Sequence, residues 1–324
     1  MQERISYDTL HIIFEGEPKI ERLQLLSEFS ITLRDSKVCR HTAKVKGLRV
    51  IVKNGQTKVT GSASRFLNGT SLSVCGPKHL ELFLFKLGES LGLDENVVHS
   101  GHVTRIDLAA NLIVPRTPKQ YLALMQTPPQ TNPLRHTRNH VTFKSSRRQI
   151  NIYAKIPEAE RYSLVPAEYR GLHVLRAENR LNRPSEQCKC DVSAAELLSP
   201  AFYNLLCNMW LDRMETISFY PQIRFVPSNR VQQIRDSYAM FGIEANGGLD
   251  QALARVATEQ QAGKTTSSQA YRLRKWIRGL PNSCPSVETR DLETEFRQAI
   301  HRAADSSASA SASASASAKL VTAA

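Results

Sequence analysis

The chain has 324 residues, 41% hydrophobic and 23% charged, and its 43 Lys and Arg against 30 Asp and Glu give a formal net charge of +13. That is the composition of a folded protein, long enough for one large or two ordinary domains without disulfide or metal staples. The most apolar run, Leu80 to Leu87, holds two charges and falls far short of the roughly 20 residues that span a bilayer, the N-terminus lacks an apolar signal core, and six cysteines here are no disulfide framework, so the expectation is a reduced cytoplasmic protein with an acidic partner, most commonly nucleic acid.

In chain order, Leu48–Lys53 and Gln56–Thr60 are β-prone runs separated by Asn54-Gly55, the strongest short hairpin signal. Leu72–Val74 reads as a further short strand. Pro77 opens a helix in which Leu80, Phe83, Leu84, Leu87 and Leu91 recur at helical spacing, and Gly92 ends it. Val103–Val114 follows as a strand, whose alternation places Val103, Arg105, Asp107 and Ala109 on one face and Thr104, Ile106, Leu108 and Ala110 on the other. Thr117-Pro118 starts a short helix, 127–140 reads as a loop, and His140–Lys144 with Gln149–Lys155 forms a hairpin around Ser145–Arg148. Leu172–Leu181 is the last strand, with Arg176, Glu178 and Arg180 sharing a face.

After Pro184 the spacing turns helical, over 193–216, 229–242, 248–262, 266–279 and 288–303. The expectation is an α+β domain over 1–188, a mostly helical domain over 189–304 and a disordered tail over 305–324, where Ser and Ala alternate without a large apolar side chain. No internal repeat of 20–50 residues is visible.

Three strand segments carry chemistry. They are Arg105-Ile-Asp107, Tyr153-Ala-Lys155-Ile-Pro-Glu158 and Arg176-Ala-Glu178. If these strands are neighbours, two carboxylates and a tyrosine converge on one face. Carboxylate oxygens suit Mg²⁺ or Mn²⁺, and such an ion can stabilise the charge that develops on an attacked phosphodiester. A phenol ionises near pH ~10 and needs activation to act as a nucleophile, for which Lys155 and Glu158 are at hand. Taken singly, each segment also fits a salt-bridged surface strand.

HVTRIDLAANL, INIYAKIPE and VLRAENRL, in this order, together resemble the gene II/X-type replication initiators of filamentous phages, which belong with rolling-circle plasmid initiators and relatives of the HUH endonucleases. TGSASRFLNGTSL, with Gly61, Ser62, Arg65, Phe66, Leu67 and Gly69, is similar to that family's glycine segment, and the likeness covers about residues 45–185. The resemblance implies an RRM-like palm, an antiparallel sheet with helices on one face, and a DNA endonuclease and strand transferase. It puts the nucleophile at Tyr153, with Lys155 and Glu158 beside it, and metal-binding acids at Asp107 and Glu178. It further implies an origin on a small circular phage or plasmid genome, a bacterial host cell, and host helicase and polymerase as partners. Thr70 and Ser71 replace the family's usual His-Asn, and the His-hydrophobic-His motif of many relatives is missing.

Basic residues supply the expected DNA contacts. Arg65, Arg105, Arg135, Arg138, Lys144, Arg147, Arg148 and Arg176 surround the motif strands, and Arg272, Arg274 and Lys275 lie beside Trp276 on a helix. Tyr162 and Tyr169 read as surface tyrosines. Gly263-Lys264-Thr265 is no phosphate loop, because Thr258 occupies the leading glycine position and a helix precedes it. A non-catalytic DNA-binding or copy-control protein on the same scaffold is the main alternative; an RNA-binding sheet would need more strand aromatics than Phe143.

Overall fold

In the computed structural model, which describes residues 3–34, 37–161, 165–220, 230–283 and 290–321, the β-prone runs assemble into one ten-stranded antiparallel sheet. The first half of the chain runs through β1 (Ile5–Glu15), α1 (Ile20–Gln24), β2 (Ser27–Arg34), β3 (Lys37–Val45), β4 (Leu48–Lys53), β5 (Gln56–Ser62), α2 (Ala63–Asn68), α3 (Pro77–Leu91) and α4 (Glu95–His99). The second runs through β6 (His102–Ile113), α5 (Pro118–Leu124), β7 (Asn132–Thr137), β8 (His140–Lys144), β9 (Arg148–Ala154), α6 (Lys155–Ala159), β10 (Val174–Asn182), α7 (Pro184–Cys188) and α8 (Pro200–Glu215). Three helices, α9 (Val231–Ala245), α10 (Gly248–Gln261) and α11 (Ser267–Ser283), lead to α12 (Arg290–Val321).

The strand order β2-β3-β4-β5-β1-β6-β10-β9-β8-β7 holds a pseudo-two-fold. Each half reads strand, short helix, four strands, then a long helix, and the leading strands β1 and β6 pair antiparallel at the centre. The repeat is longer than the 20–50 residues that betray solenoids, and little sequence marks it beyond Pro18-Lys19 before α1 and Pro118-Lys119 opening α5.

One face of the sheet is apolar and covered. Leu80, Phe83, Leu84, Leu87 and Leu91 of α3 are all buried, as their spacing predicts, and each contributes about 1.5–3 kcal/mol. They join Tyr7, Leu10, Ile12, Ile106, Leu108, Leu175 and Ala177 from the sheet and Trp210 of α8. Trp210 Nε1 donates to the Ala177 carbonyl at 3.2 Å, which satisfies the indole inside the core.

Several expectations are corrected. Residues 72–74 form no strand, and 132–137, read as loop, is β7 paired with β8. A register shift opposite His11 and Ile12 turns Val103 into the core instead of leaving it beside Arg105. The helices after 188 do not share one core: α8 and α12 pack on the sheet, while α9–α11 gather around Met240, Leu249, Ile277 and Leu280. Through Val321 the Ser/Ala tract lies within α12. Alanine favours helix, and the hydroxyls of Ser307 and Ser309 bond the carbonyls of Ala303 and Asp305. Among the described residues, no helix is long and apolar enough to cross a membrane.

Ser307 is fully buried and accepts the Ile5 N–H at 2.8 Å, so it caps the start of the central strand. Ser307→Ala leaves that N–H unpaired and is expected to lower the unfolding free energy by about 1–3 kcal/mol in urea titrations.

Candidate active site

The second face of the sheet is open and polar at its centre. Parity places Arg105, Asp107 and Asn111 of β6, Arg176, Glu178 and Arg180 of β10, and Gln149, Asn151 and Tyr153 of β9 on this face. The strands are adjacent, in the order β6-β10-β9, so the three motif segments do converge. Tyr153 sits directly opposite Arg176, and Asn151 opposite Glu178.

The Tyr153 hydroxyl reaches diagonally across the strand pair and donates to Glu178 Oε1 at 2.7 Å. Arg176 Nε donates to the same oxygen at 3.1 Å, and Asn151 Nδ2 to Oε2 at 3.3 Å. Burial pushes the Glu178 carboxyl up from its ordinary value and nearby Asp8 pushes it further, against the opposing charge of Arg176. Burial and the Glu178 charge raise the Tyr153 phenol well above 10. The phenol is therefore protonated at neutral pH and already aimed at a carboxylate able to take its proton.

Arg176 is the hub. Its guanidinium meets Asp8 Oδ1 at 2.8 Å, the Ser71 carbonyl at 3.0 Å and Asn111 Oδ1 at 2.9 Å besides Glu178. Burial opposes its charge, and Asp8, Tyr153 and Glu178 more than restore it, raising its pKa. Asp8 escaped the sequence reading because the bulge between Tyr7 and Leu10 breaks the alternation of β1. Asn151 shares parity with Tyr153 in INIYA and was legible there.

One end of this face is covered. Leu72, Ala159, Tyr169 and Val174 form a small apolar cluster over it. Lys155 lies beneath, 1% exposed, donating to Ser71 Oγ at 2.8 Å and Glu158 Oε2 at 2.5 Å. Burial lowers the Lys155 ammonium to about 8, helped by the Arg176 charge and opposed by Glu158. Ser71 and Thr70 therefore have structural duties: Ser71 receives Lys155 and Arg176, and Thr70 Oγ1 accepts the Leu72 N–H. Tyr169, expected at the surface, is buried with its hydroxyl on the Leu72 carbonyl, and Tyr162 lies outside the described residues.

The uncovered side opens into a cleft of about 880 Å³, lined by Tyr153, Glu178, Arg180, Arg138, Arg161 and Glu158, among others. Arg138 thus falls beside the tyrosine. Lys144 shares the open face at the far end of β8, opposite Gln149. Arg147 pairs with Glu186 and Arg148 with Gln187, about 17 Å along β9 from Tyr153 at strand rise. Arg65 lies on α2, beside the Gly47 turn and away from the cleft. The side chain of Arg135 lies outside the described residues. Arg272 and Lys275 are exposed on α11, and Arg274 bonds Gln260.

The carboxylates do not present a ready divalent-cation site. Arg105 Nε donates to Asp107 Oδ1 at 2.7 Å, its terminal nitrogen engages Oδ2, and Arg180 Nε contacts both oxygens at 3.3 and 3.1 Å. Both Glu178 oxygens are likewise engaged. Binding Mg²⁺ or Mn²⁺ between Asp107 and Glu178 requires displacing guanidinium groups that already neutralise them, and among the described residues no three His, Cys, Asp or Glu side chains gather in metal-binding geometry.

No protein-family model matches this chain, and no curated protein matches it. Among solved structures, Methanococcus jannaschii TBP aligns over 58% of this chain and 93% of that one, with 11% identity and a TM-score of 0.27, too loose a likeness to bear on fold or function.

Removing Arg176 leaves Asp8 and Glu178 buried without their counter-charge. Arg176→Gln is expected to lower the unfolding free energy by about 3–5 kcal/mol, read by chemical denaturation at neutral pH.

Proposed function

We propose that this chain is a DNA-nicking and rejoining enzyme with Tyr153 as its nucleophile, which starts rolling-circle replication of a small circular genome in the cytoplasm of a bacterial host. The observation that carries this reading is the Tyr153–Glu178 hydrogen bond at the wall of an open, arginine-lined cleft on a bare sheet face. A polar surface strand in a purely binding protein has no need for a phenol aimed at a buried carboxylate of raised pKa.

In the proposed reaction, Glu178 takes the phenolic proton as Tyr153 Oη attacks the scissile phosphorus. The P–O3′ bond breaks, the departing O3′ takes a proton from water in the cleft, and a 5′-phosphotyrosyl enzyme remains. The free 3′-OH primes synthesis. Rejoining is the reverse transesterification, so bond energy is retained without ATP. Arg180 and Arg138 face the cleft and meet the negative charge that grows on the phosphoryl oxygens. Asp107 orients Arg105 and Arg180. The RRM-like palm is the architecture this reading assigns to the antiparallel sheet with helices on one face.

Incubation with supercoiled origin-bearing plasmid and Mg²⁺ should give nicked circles and a protein–DNA adduct. Tyr153→Phe should abolish both and leave DNA affinity within about twofold; normal nicking by this variant refutes the assignment. An unchanged binding isotherm with no adduct from the wild-type chain would favour the copy-control reading.

Lys155 gives a second test. Its ammonium holds Ser71 and Glu158 beside the tyrosine and loses its proton near pH 8. The adduct-forming rate should fall as pH rises through about 8, and Lys155→Arg, whose charge does not titrate there, should move that limb upward. Unfolding does not mimic the effect. Between about 8 and the ordinary lysine value of 10.5 the unfolded chain binds the extra proton, so this group makes the fold more stable as pH rises.

A further inference from the structure

The first half of the sheet repeats the architecture of the second without its carboxylate network. On β3, β4 and β5 the open face carries Lys44, Arg49, Lys53 and Lys58, with Thr42 and Thr60 between them. On the opposite face, Phe66 of α2 and Phe83 and Leu84 of α3 share the apolar core with Val50 and Val59. Lys44 and Arg49 stand directly opposite one another across the strand pair, and Lys53 and Lys58 are diagonal neighbours. Like charges directly opposed on a sheet destabilise it, so folding alone does not account for this placement.

The nearby carboxylates answer little of that charge. Glu28 pairs with Lys44 at 2.7 Å, and Glu15 accepts from Gln56. Among the described residues, Arg49, Lys53 and Lys58 have no carboxylate within ion-pair distance. His11, at the centre of the face, is lowered to about 4, first by burial and then by the charges of Arg105, Lys58 and Arg180 on either side of it.

We infer that this face holds the phosphate backbone of a DNA duplex arm next to the strand being cut, an inference that rests on the nicking reading for the identity of the DNA. The match is one of charge and shape. Five strand spacings from β10 to β3 span about 24 Å, the rise of roughly seven base pairs. Among the described residues, no Phe, Tyr or Trp stands on this part of the open face: Phe29 stacks on His41, which is opposite Ile31 on the other parity. A single strand is held by stacking as much as by charge, whereas a duplex offers only phosphates to a surface of this kind. The two halves then divide the work, one binding the arm and the other cutting beside it.

The test is fluorescence anisotropy of the full chain with a labelled duplex oligonucleotide and with its single strand, across a salt series. The triple variant Arg49→Gln/Lys53→Gln/Lys58→Gln should bind the duplex at least about tenfold more weakly and lower the slope of log affinity against log salt by about 2–3. It should bind the single strand within about twofold of wild type. Lys78→Gln/Lys86→Gln/Lys119→Gln, on the helical side, should leave duplex binding unchanged. Duplex affinity and slope unchanged in the first variant, or equal losses for duplex and single strand, overturn the inference. Duplex binding through these residues by a chain that forms no phosphotyrosyl adduct keeps the surface and removes the nicking reading. Adduct formation on a single-stranded oligonucleotide by a chain with no duplex affinity does the converse.

Discussion

A single buried guanidinium organises the polar face of this protein. Arg176 reaches from β10 to Asp8 on β1, to Asn111 on β6, to Glu178 on its own strand and to the Ser71 carbonyl of the covering segment. Three strands and one loop are therefore fixed by one side chain that is 3% exposed. Such a group is costly to bury alone, as are the two carboxylates it meets; together they satisfy one another. The alignment of Tyr153 follows, because the oxygen that accepts the phenol is the one Arg176 holds in place. A carboxylate freed from Arg176 would swing or take up a proton, and the tyrosine would lose its acceptor.

Asp107 extends the same logic one register position along β6 and β10. There the carboxylate lies between Arg105 and Arg180, so acids and guanidinium groups alternate over the centre of the face. Each carboxylate there meets a guanidinium, Asp107 those of Arg105 and Arg180 and Glu178 that of Arg176. A divalent cation on these acids would have to displace the guanidinium groups already bonded to them. The resemblance assigns both Asp107 and Glu178 to metal binding; in the fold Glu178 accepts the Tyr153 hydroxyl, and Asp107 engages Arg105 and Arg180.

The helical periodicity of 77–92, the Asn54-Gly55 hairpin and the parity of Arg176 and Glu178 were readable because each depends on local geometry alone. Asn54 and Gly55 take up the positive φ angles of 55° and 79° that such a turn demands. What the sequence concealed depends on long-range pairing. The bulge at Asp8 and the register shift at Val103 come from how β1 meets β6, and no local pattern announces either. The packing of α8 and α12 on the sheet was hidden because a helix's apolar stripe does not name its partner. The duplication was hidden because shared topology outlasts shared residues.

The duplication also explains why only one half carries a candidate active site. In the first half, β4 and β5 are joined by the two-residue turn Asn54-Gly55. At the equivalent place in the second half, residues 155–173 intervene between β9 and β10. This insertion supplies Lys155, Glu158 and the cover residues Ala159 and Tyr169, and it closes one end of the open face over Arg176. Burial is what raises the pKa of Glu178 and lowers that of Lys155. Without the insertion the same strands would present solvated charges, as β3, β4 and β5 do. One lengthened hairpin therefore turns a basic sheet face into a desolvated site, and leaves its twin as a surface suited to holding a polyanion.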